Sequence, residues 1–227
     1  MDLIAQAVFT FTIFIIFATF HEYAHGWMAY RCGDRTAKNA GRLSLNPLVH
    51  IDPIMTVILP AMILISTEGR FAIGAAKPVP VTTYRLNNPK RDIIWVGLAG
   101  PLANVAWMII LIATMKIGLV RGVFTLEQGF PFPVAGSPFY YLLFTCMSIN
   151  LVLLVFNMLP IPPLDGSRVV EGMLPDKHAD QYSRLSRYGF IILILLMFSG
   201  ILGRLFSIAL RLVVTVSSIP YPLRFFQ

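Results

Sequence analysis

The chain of 227 residues is strongly apolar, because 56% of its residues are hydrophobic and only 13% are charged. Soluble globular domains carry about a quarter charged residues, so this composition excludes a disordered chain, a collagen-like chain and an ordinary cytosolic enzyme. The formal net charge of +7 comes without any motif of a nucleic-acid-binding module. In a membrane protein, excess Lys and Arg mark the cytoplasmic loops. We therefore expect an integral membrane protein with no nucleic-acid partner.

Four apolar runs are long enough to cross a bilayer as helices. They cover residues 3–20, 93–117, 139–159 and 190–216. The first run has Asp2 and no basic start, so we expect a retained helix and not a cleaved signal peptide. A shorter stretch, residues 53–66, contains Pro60 and is either a short span or a re-entrant segment.

The distribution of basic residues favours the re-entrant alternative. If residues 53–66 do not cross, the nine Lys and Arg between residues 31 and 91 share one side with the four between 168 and 187, opposite Arg121. The positive-inside rule then puts the end of the first span in the cytoplasm. We expect an all-α integral membrane protein with about four transmembrane helices plus the short segment (four to six in all), forming one domain over residues 1–227. The sequence does not indicate an oligomeric state.

The end of the first apolar run carries a metal-binding pattern. Residues 21–25 read His-Glu-Tyr-Ala-His. Side chains four residues apart share one face of a helix, so His21 and His25 can bind one zinc ion while Glu22 stands beside it as a base. The alternative is a set of polar residues at a helix end, in contact with interfacial water. Ionisable residues clustered on a membrane helix favour the metal site, because burying them is costly.

A catalytic zinc ion usually has three protein ligands and one open position, so a third ligand is expected elsewhere. The best candidate is Asp165, which follows the proline-rich residues 160–163 and precedes Gly166. Prolines resist helix formation, and extended backbone at membrane depth is tolerated only beside protein or a water-filled cavity. The alternative is an ordinary Asp-Gly turn at the exit of a membrane helix.

Three further polar residues are candidates for supporting roles. Asn104 follows the small residues Gly97, Ala99, Gly100 and Ala103, and it either forms an interhelical hydrogen bond or holds substrate in the cavity. His50 and Asp52 lie where the chain approaches the membrane again, and they could form a second polar shell around the metal site. For Asp52, with Pro53 after it, a helix-start role is the alternative.

Three motifs in this order resemble the site-2 protease family of intramembrane zinc metalloproteases. They are the His21–His25 motif, the run Gly-Pro-Leu-Ala-Asn at residues 100–104, and Asn-Met-Leu-Pro at 157–160 continuing to Leu-Asp-Gly at 164–166. The resemblance implies Glu22 as the general base, and His21, His25 and Asp165 as ligands of one Zn²⁺ per chain. It also implies membrane-anchored protein substrates. The chain looks like a minimal prokaryotic form without a PDZ or CBS domain.

From these observations we expect a metalloendopeptidase in the cell (inner or plasma) membrane, with the zinc site toward the cytoplasm. Asn104 and Asn157 are candidates for binding the unwound substrate or the oxyanion. Residues 71–81 could accept substrate as an edge strand, which predicts a small membrane-associated β element between the first two core spans, although Lys77, Pro78 and Pro80 could equally define a rigid loop. The competing hypothesis is a non-catalytic zinc-binding membrane protein, either a transporter or a client-holding pseudoprotease.

Overall fold

The computed structural model describes residues 3–58, 60, 62, 74–124, 126–127, 134–135 and 137–220. Its helices are α1 (Leu3–Arg31), α2 (Thr36–Asn39), α3 (Pro89–Val120), α4 (Pro138–Asn157), α5 (Asp165–Met173), α6 (Asp176–Ser183), α7 (Ser186–Phe198) and α8 (Ile201–Ser217). Two two-residue strands, β1 (Leu126–Glu127) and β2 (Val134–Ala135), pair antiparallel between α3 and α4. Single turns of helix cover Pro47–His50, Pro53–Ile58 and Thr83–Arg85.

Three of these helices are long and apolar enough to cross a membrane: α1 from Ala5, α3 and α4. They correspond to the first three predicted spans, and α1 continues 11 residues beyond the predicted end at residue 20. The continuation matters because His21, Glu22 and His25 lie within the helix and not at its end. The helical membrane architecture is therefore confirmed.

The fourth predicted span, residues 190–216, is not one straight helix. It consists of α7 and α8, whose axes deviate by 70° from a straight line. Together they form either a broken span or a re-entrant loop. The break falls at Ser199 and Gly200, where Gly200 adopts the left-handed conformation with φ of 74°. Glycine reaches this region without steric cost, and a continuing α-helix does not use it. Within the described residues, the number of helices long and apolar enough to span is three, or four if the bent pair counts as one span.

The predicted β element between the first two spans is not supported. The described residues 74–82 form no strand, while residues 71–73 lie outside the described part of the chain. Pro78 and Pro80 remove two backbone donors that a sheet would use. Of the predicted segment 53–66, Pro53–Ile58 forms one wide π-helical turn, and most of the remainder lies outside the described residues.

The chain divides into two compact units, each with its own core. One unit comprises Met1–Ala103 and Asn157–Phe190, and part of its core packs the end of α1 against the start of α3 through Ala29, Leu86, Ile93 and Val96. The other comprises Asn104–Phe156 and Ile191–Gln227. In that unit Tyr140 is fully buried, its ring meets Phe124 edge-on at 5.3 Å, and its hydroxyl donates to the carbonyl of Pro220.

Candidate metal centre

Helix α1 places both imidazoles of the metal-binding pattern on one buried face. His21 and His25 are 4% and 3% exposed, and their Nε2 atoms lie 3.0 Å apart. The space they occupy is provided by Gly100 of α3. A Cβ atom built at position 100 would collide with His25 Nε2 and would lie 2.6 Å from His21 Nε2. A glycine on one helix therefore allows two histidines on another to reach the same point.

Asp165 reaches the histidines from the first turn of α5. Its Oδ2 atom lies 3.0 Å from His21 Nε2 and 3.1 Å from His25 Nε2. The start of α5 packs closely on its surroundings: a Cβ at Gly166 would collide with the carbonyl oxygen of Met158, and one at Gly97 of α3 would lie 3.0 Å from the carbonyl of Asp165. The structure thus brings together the three side chains that the sequence indicates as a ligand set, although Asp165 lies 144 positions from His21 and 140 from His25.

The geometry of the three atoms suits a small divalent cation. Nε2 of each histidine and Oδ2 of Asp165 form a triangle with sides of 3.0 to 3.1 Å. Ligand atoms at zinc distances of about 2.0–2.2 Å in tetrahedral geometry lie roughly 3.3 Å apart, close to these values. In the described part of the chain this is the one group of three or more His, Cys, Asp or Glu residues with such proximity.

The hydrogen bond on the far side of the His25 ring also fits a metal ligand. His25 Nδ1 lies 2.6 Å from the carbonyl oxygen of Val96, and a carbonyl only accepts, so Nδ1 carries the hydrogen. The neutral tautomer with its hydrogen on Nδ1 presents the Nε2 lone pair toward Asp165, whereas the protonated ring donates Nε2–H to the carboxylate. The 3.1 Å contact between Nε2 and Oδ2 therefore needs either a proton or a metal cation between the two atoms. The donor set therefore fits zinc.

The electrostatics of Asp165 keep its carboxyl group ionised. Burial favours the neutral acid, but the two neighbouring imidazoles outweigh burial and hold the pKa of Asp165 below its usual range. The guanidinium of Arg168, one turn further along α5, lies 3.6 Å from the other oxygen, Oδ1. An ionised carboxylate is the form that binds a metal ion.

Glu22 stands next to His21 but points to a different partner. Its Oε2 atom accepts a hydrogen bond of 2.7 Å from the backbone N–H of Val79. Val79 is buried and lies against Gly26 of α1, where an added Cβ would meet Val79 Cγ1 at 3.0 Å. The extended residues 77–80, which we name the Val79 segment, therefore contact α1 at Glu22 and Gly26.

The remaining predicted site residues have other surroundings. Asn104 is fully buried, and both polar atoms of its amide lack a hydrogen-bond partner within the described ranges. Asn157 is the last residue of α4. His50 Nε2 donates to the carbonyl of Ser44 at 2.8 Å. Asp52 Oδ1 accepts from the backbone of Ile54 and Met55, both at 2.9 Å, which is the contact of a helix-start residue.

The sequence does not indicate two contributions to this site, the carbonyl of Val96 and the N–H of Val79, and it indicates the space at Gly100 without its occupant. The first two are backbone atoms of apolar residues, so no side-chain pattern announces them. Gly100 was noted as one of several small residues that allow close helix approach, and its partner turns out to be a pair of imidazoles. Pro78 and Pro80 were the available signal for Val79, because they leave it as the single backbone donor between them.

Comparison with known proteins points to one family. The profile of Peptidase family M50 matches residues 9–198. The chain is 34% identical to "Putative zinc metalloprotease YwhC" of Bacillus subtilis over 182 residues, covering 80% of this chain and 76% of that protein. It is 31% identical to "Putative zinc metalloprotease Rip2" of Mycolicibacterium smegmatis over 186 residues, covering 82% of this chain and 65% of that protein. No solved structure matches the chain significantly.

The match spans His21, His25 and Asp165, since residues 9–198 include most of α1 and all of α3 and α5. It agrees with the resemblance to site-2 proteases that the three ordered motifs carry. It also favours the predicted enzyme over a non-catalytic zinc-binding protein. The chain belongs to Peptidase family M50 and is a metalloprotease with several apolar membrane helices.

Proposed function

We propose that the chain is a zinc-dependent intramembrane endopeptidase that hydrolyses peptide bonds within or near the transmembrane segments of membrane-anchored proteins. The observation that carries the proposal is the buried cluster of His21, His25 and Asp165, two members of which lie on a helix of spanning length. Burying ionisable side chains on such a helix costs free energy, so their presence there indicates a function. The cluster offers one set of three ligand atoms, which fits one zinc ion per chain.

The chemistry follows from the residues around that cluster. A zinc ion held by His21, His25 and Asp165 would polarise the scissile carbonyl and lower the pKa of water at its open position. Glu22 accepts a proton from the attacking water as the new carbon–oxygen bond forms. Glu22 then delivers this proton to the leaving amine nitrogen as the carbon–nitrogen bond breaks, which restores the carboxylate.

Two asparagines are proposed to bind the substrate backbone or the oxyanion. A helical substrate must unwind before hydrolysis, and its exposed peptide groups then need hydrogen-bond partners. Asn104 lies one helical turn beyond Gly100 on α3, and an unpaired buried amide costs about 1–3 kcal/mol, which a bound substrate would recover. Asn157 ends α4, immediately before the proline-rich stretch that leads to Asp165.

We further propose a cell-membrane location, inner or plasma membrane, with the metal-binding end of α1 toward the cytoplasm. The support is the charge distribution: nine basic residues between positions 31 and 91 and four between 168 and 187, against Arg121 in the loop between α3 and α4. The substrates would therefore be cut near the cytoplasmic half of the bilayer.

The zinc content of the purified protein tests the ligand set. We expect about one zinc per chain in the detergent-purified wild type and clearly less in Asp165→Ala, because two ligands rarely hold a catalytic zinc. The matched control is Asp180→Ala, which removes an exposed aspartate of α6 and should leave the zinc content unchanged. Equal zinc in the wild type and Asp165→Ala would remove Asp165 from the ligand set.

Cleavage of a transmembrane reporter by the same preparations tests the general base. Glu22→Gln should retain zinc and lose cleavage, because the amide cannot accept the proton from water. Cleavage at the wild-type rate by Glu22→Gln would overturn the assignment of Glu22.

A further inference from the structure

The Val79 segment has few backbone hydrogen-bond donors. Residues 78–80 read Pro-Val-Pro, and proline has no N–H group, so Val79 carries the single backbone donor of these three residues. That donor is used on Oε2 of Glu22, at 2.7 Å. Proline also restricts the backbone on both sides of Val79, which keeps the segment extended. The direction of this one N–H group therefore decides where one carboxylate oxygen of Glu22 is held.

The opposite side of the same segment is held by Arg42. The guanidinium Nη2 atom donates to the carbonyl of Lys77 at 2.7 Å and lies 3.4 Å from the carbonyl of Pro78. The Pro78 carbonyl and the Val79 N–H belong to one planar peptide group. A buried arginine thus holds one end of a peptide unit whose other end donates to Glu22.

Arg42 is itself buried, and its backbone is held at the short α2 helix. The residue is 9% exposed, and its backbone N–H donates to the carbonyl of Ala37, the second residue of α2. Burying a guanidinium is costly unless its donors find acceptors; Nη2 finds them in the Lys77 and Pro78 carbonyls, while Nε is buried without a partner among the described residues. The buried guanidinium therefore points to a role in holding the Val79 segment in position.

We infer that Arg42 is a positioning residue for proteolysis, which holds the Pro78–Val79 peptide so that Val79 fixes one oxygen of Glu22 and leaves the other directed to the attacking water. This inference rests on the proposed role of Glu22 as general base. Removing Arg42 loosens the segment at 78–79. The preceding residues keep independent contacts: the N–H of Lys77 donates to His50, and the N–H of Ala75 donates to Met55.

The test compares Arg42→Met with Arg42→Lys and with the control Arg85→Met. Arg85 is exposed, and its Nη1 atom donates to Thr36 at 3.3 Å, outside the Val79 segment. The measurements are kcat and KM on a transmembrane reporter, and zinc per chain. We expect Arg42→Met to lower kcat about 100-fold, the scale on which misplaced catalytic groups act. Its KM should stay within twofold and its zinc content should remain that of the wild type, since Arg42 does not contact the ligand cluster.

The conservative variant provides the second arm. Lysine retains the charge but presents a single point of donation, so Arg42→Lys should recover part of kcat and fall between the wild type and Arg42→Met. If Arg42→Met does not fold, a reduced kcat with wild-type zinc content in Arg42→Lys supports the positioning role of Arg42. The control Arg85→Met should match the wild type.

Three results would overturn the inference: wild-type kcat in Arg42→Met, a rise in KM with kcat unchanged, or a parallel loss of zinc and activity in both Arg42 variants. Glu22→Gln, measured alongside, separates the two hypotheses. If Glu22→Gln still cleaves, the proposed role of Glu22 as general base fails. If Glu22→Gln is inactive while Arg42→Met retains full activity, the positioning role alone is wrong.

Discussion

Position 100 of α3 shows how a residue without a side chain makes room for the proposed metal site. The imidazoles of His21 and His25 occupy the volume that a Cβ atom at this position would need. The His25 ring cannot move far, because its Nδ1 is bound to the Val96 carbonyl on the same helix α3. Any larger residue at position 100 must displace at least one proposed ligand.

We predict that Gly100→Ala lowers the zinc affinity about 10–100-fold, the range typical of disturbed outer-shell groups. The measurement is competition with a chromophoric chelator in detergent. Gly203→Ala in α8 is the control, since an added Cβ there meets nothing within 4 Å. Wild-type zinc affinity in Gly100→Ala would contradict the close approach of the rings to α3.

Individual residues differ in how far the sequence could predict them. The helical period places His21 and His25 on one face, so their pairing could be predicted from spacing alone. Asp165 could be nominated only because a third ligand was needed and the order of the motifs resembled a family. The hydrogen bond from Val79 to Glu22 joins residues 57 positions apart through a backbone atom, and no periodicity encodes such a contact.

At the scale of elements, the chain at Ser199 and Gly200 illustrates the limit of hydropathy. Apolar residues continue through both α7 and α8, so the sequence predicted one span, whereas the two helices meet at 70°. Gly200 is the local signal, because its φ of 74° is unfavourable for a residue with a side chain. Hydropathy measures the total length of apolar chain and not its direction.

A distance between two spin labels tests this bend. With labels at Ile191 and Ile208, both exposed, the helical rise gives a Cα separation of about 26 Å for a straight helix and about 21 Å for a 70° bend at the midpoint. We expect the shorter distance in a Cys32→Ser, Cys146→Ser background. The matched pair Leu102 and Ile117 on α3 should give the straight-helix value of about 23 Å. A distance near 26 Å across the break would contradict the bend.

The Val79 segment shows why the described part of the predicted β element forms no strand. Extended backbone was expected, and residues 74–82 are indeed without helix, but their polar groups are satisfied by partners outside any sheet. Those partners include the Glu22 carboxylate, the Arg42 guanidinium and the His50 carbonyl. Alternating prolines were the sequence feature that favoured a rigid loop.

At the scale of the whole molecule, the number of crossings determines which loops face the cytoplasm. Helix α4 lies between Val123 and His178 and has the length of one span. The basic residues cluster on the His178 side of α4 and before α3. The positive-inside rule therefore assigns Val123 and His178 to opposite sides of the membrane.

Labelling of intact cells with a membrane-impermeant thiol reagent tests this assignment. In a chain with Cys32 and Cys146 replaced by serine, we expect labelling of the Val123→Cys variant and protection of the His178→Cys variant. Both positions are exposed on the protein, so protection would reflect the membrane and not burial. Permeabilised cells provide the control, since both variants should then react. Labelling of His178→Cys in intact cells would invert the proposed orientation.

The distance along the chain between the members of the metal cluster has a consequence for biosynthesis. His25 and Asp165 are 140 positions apart. A ribosome adding about 5–20 residues per second needs roughly 7 to 30 s to make the chain between them. Through that interval the growing chain contains His21, Glu22 and His25, but it has no third side chain to complete the cluster. A partly made chain therefore cannot form the cluster of His21, His25 and Asp165 until Asp165 has been synthesised.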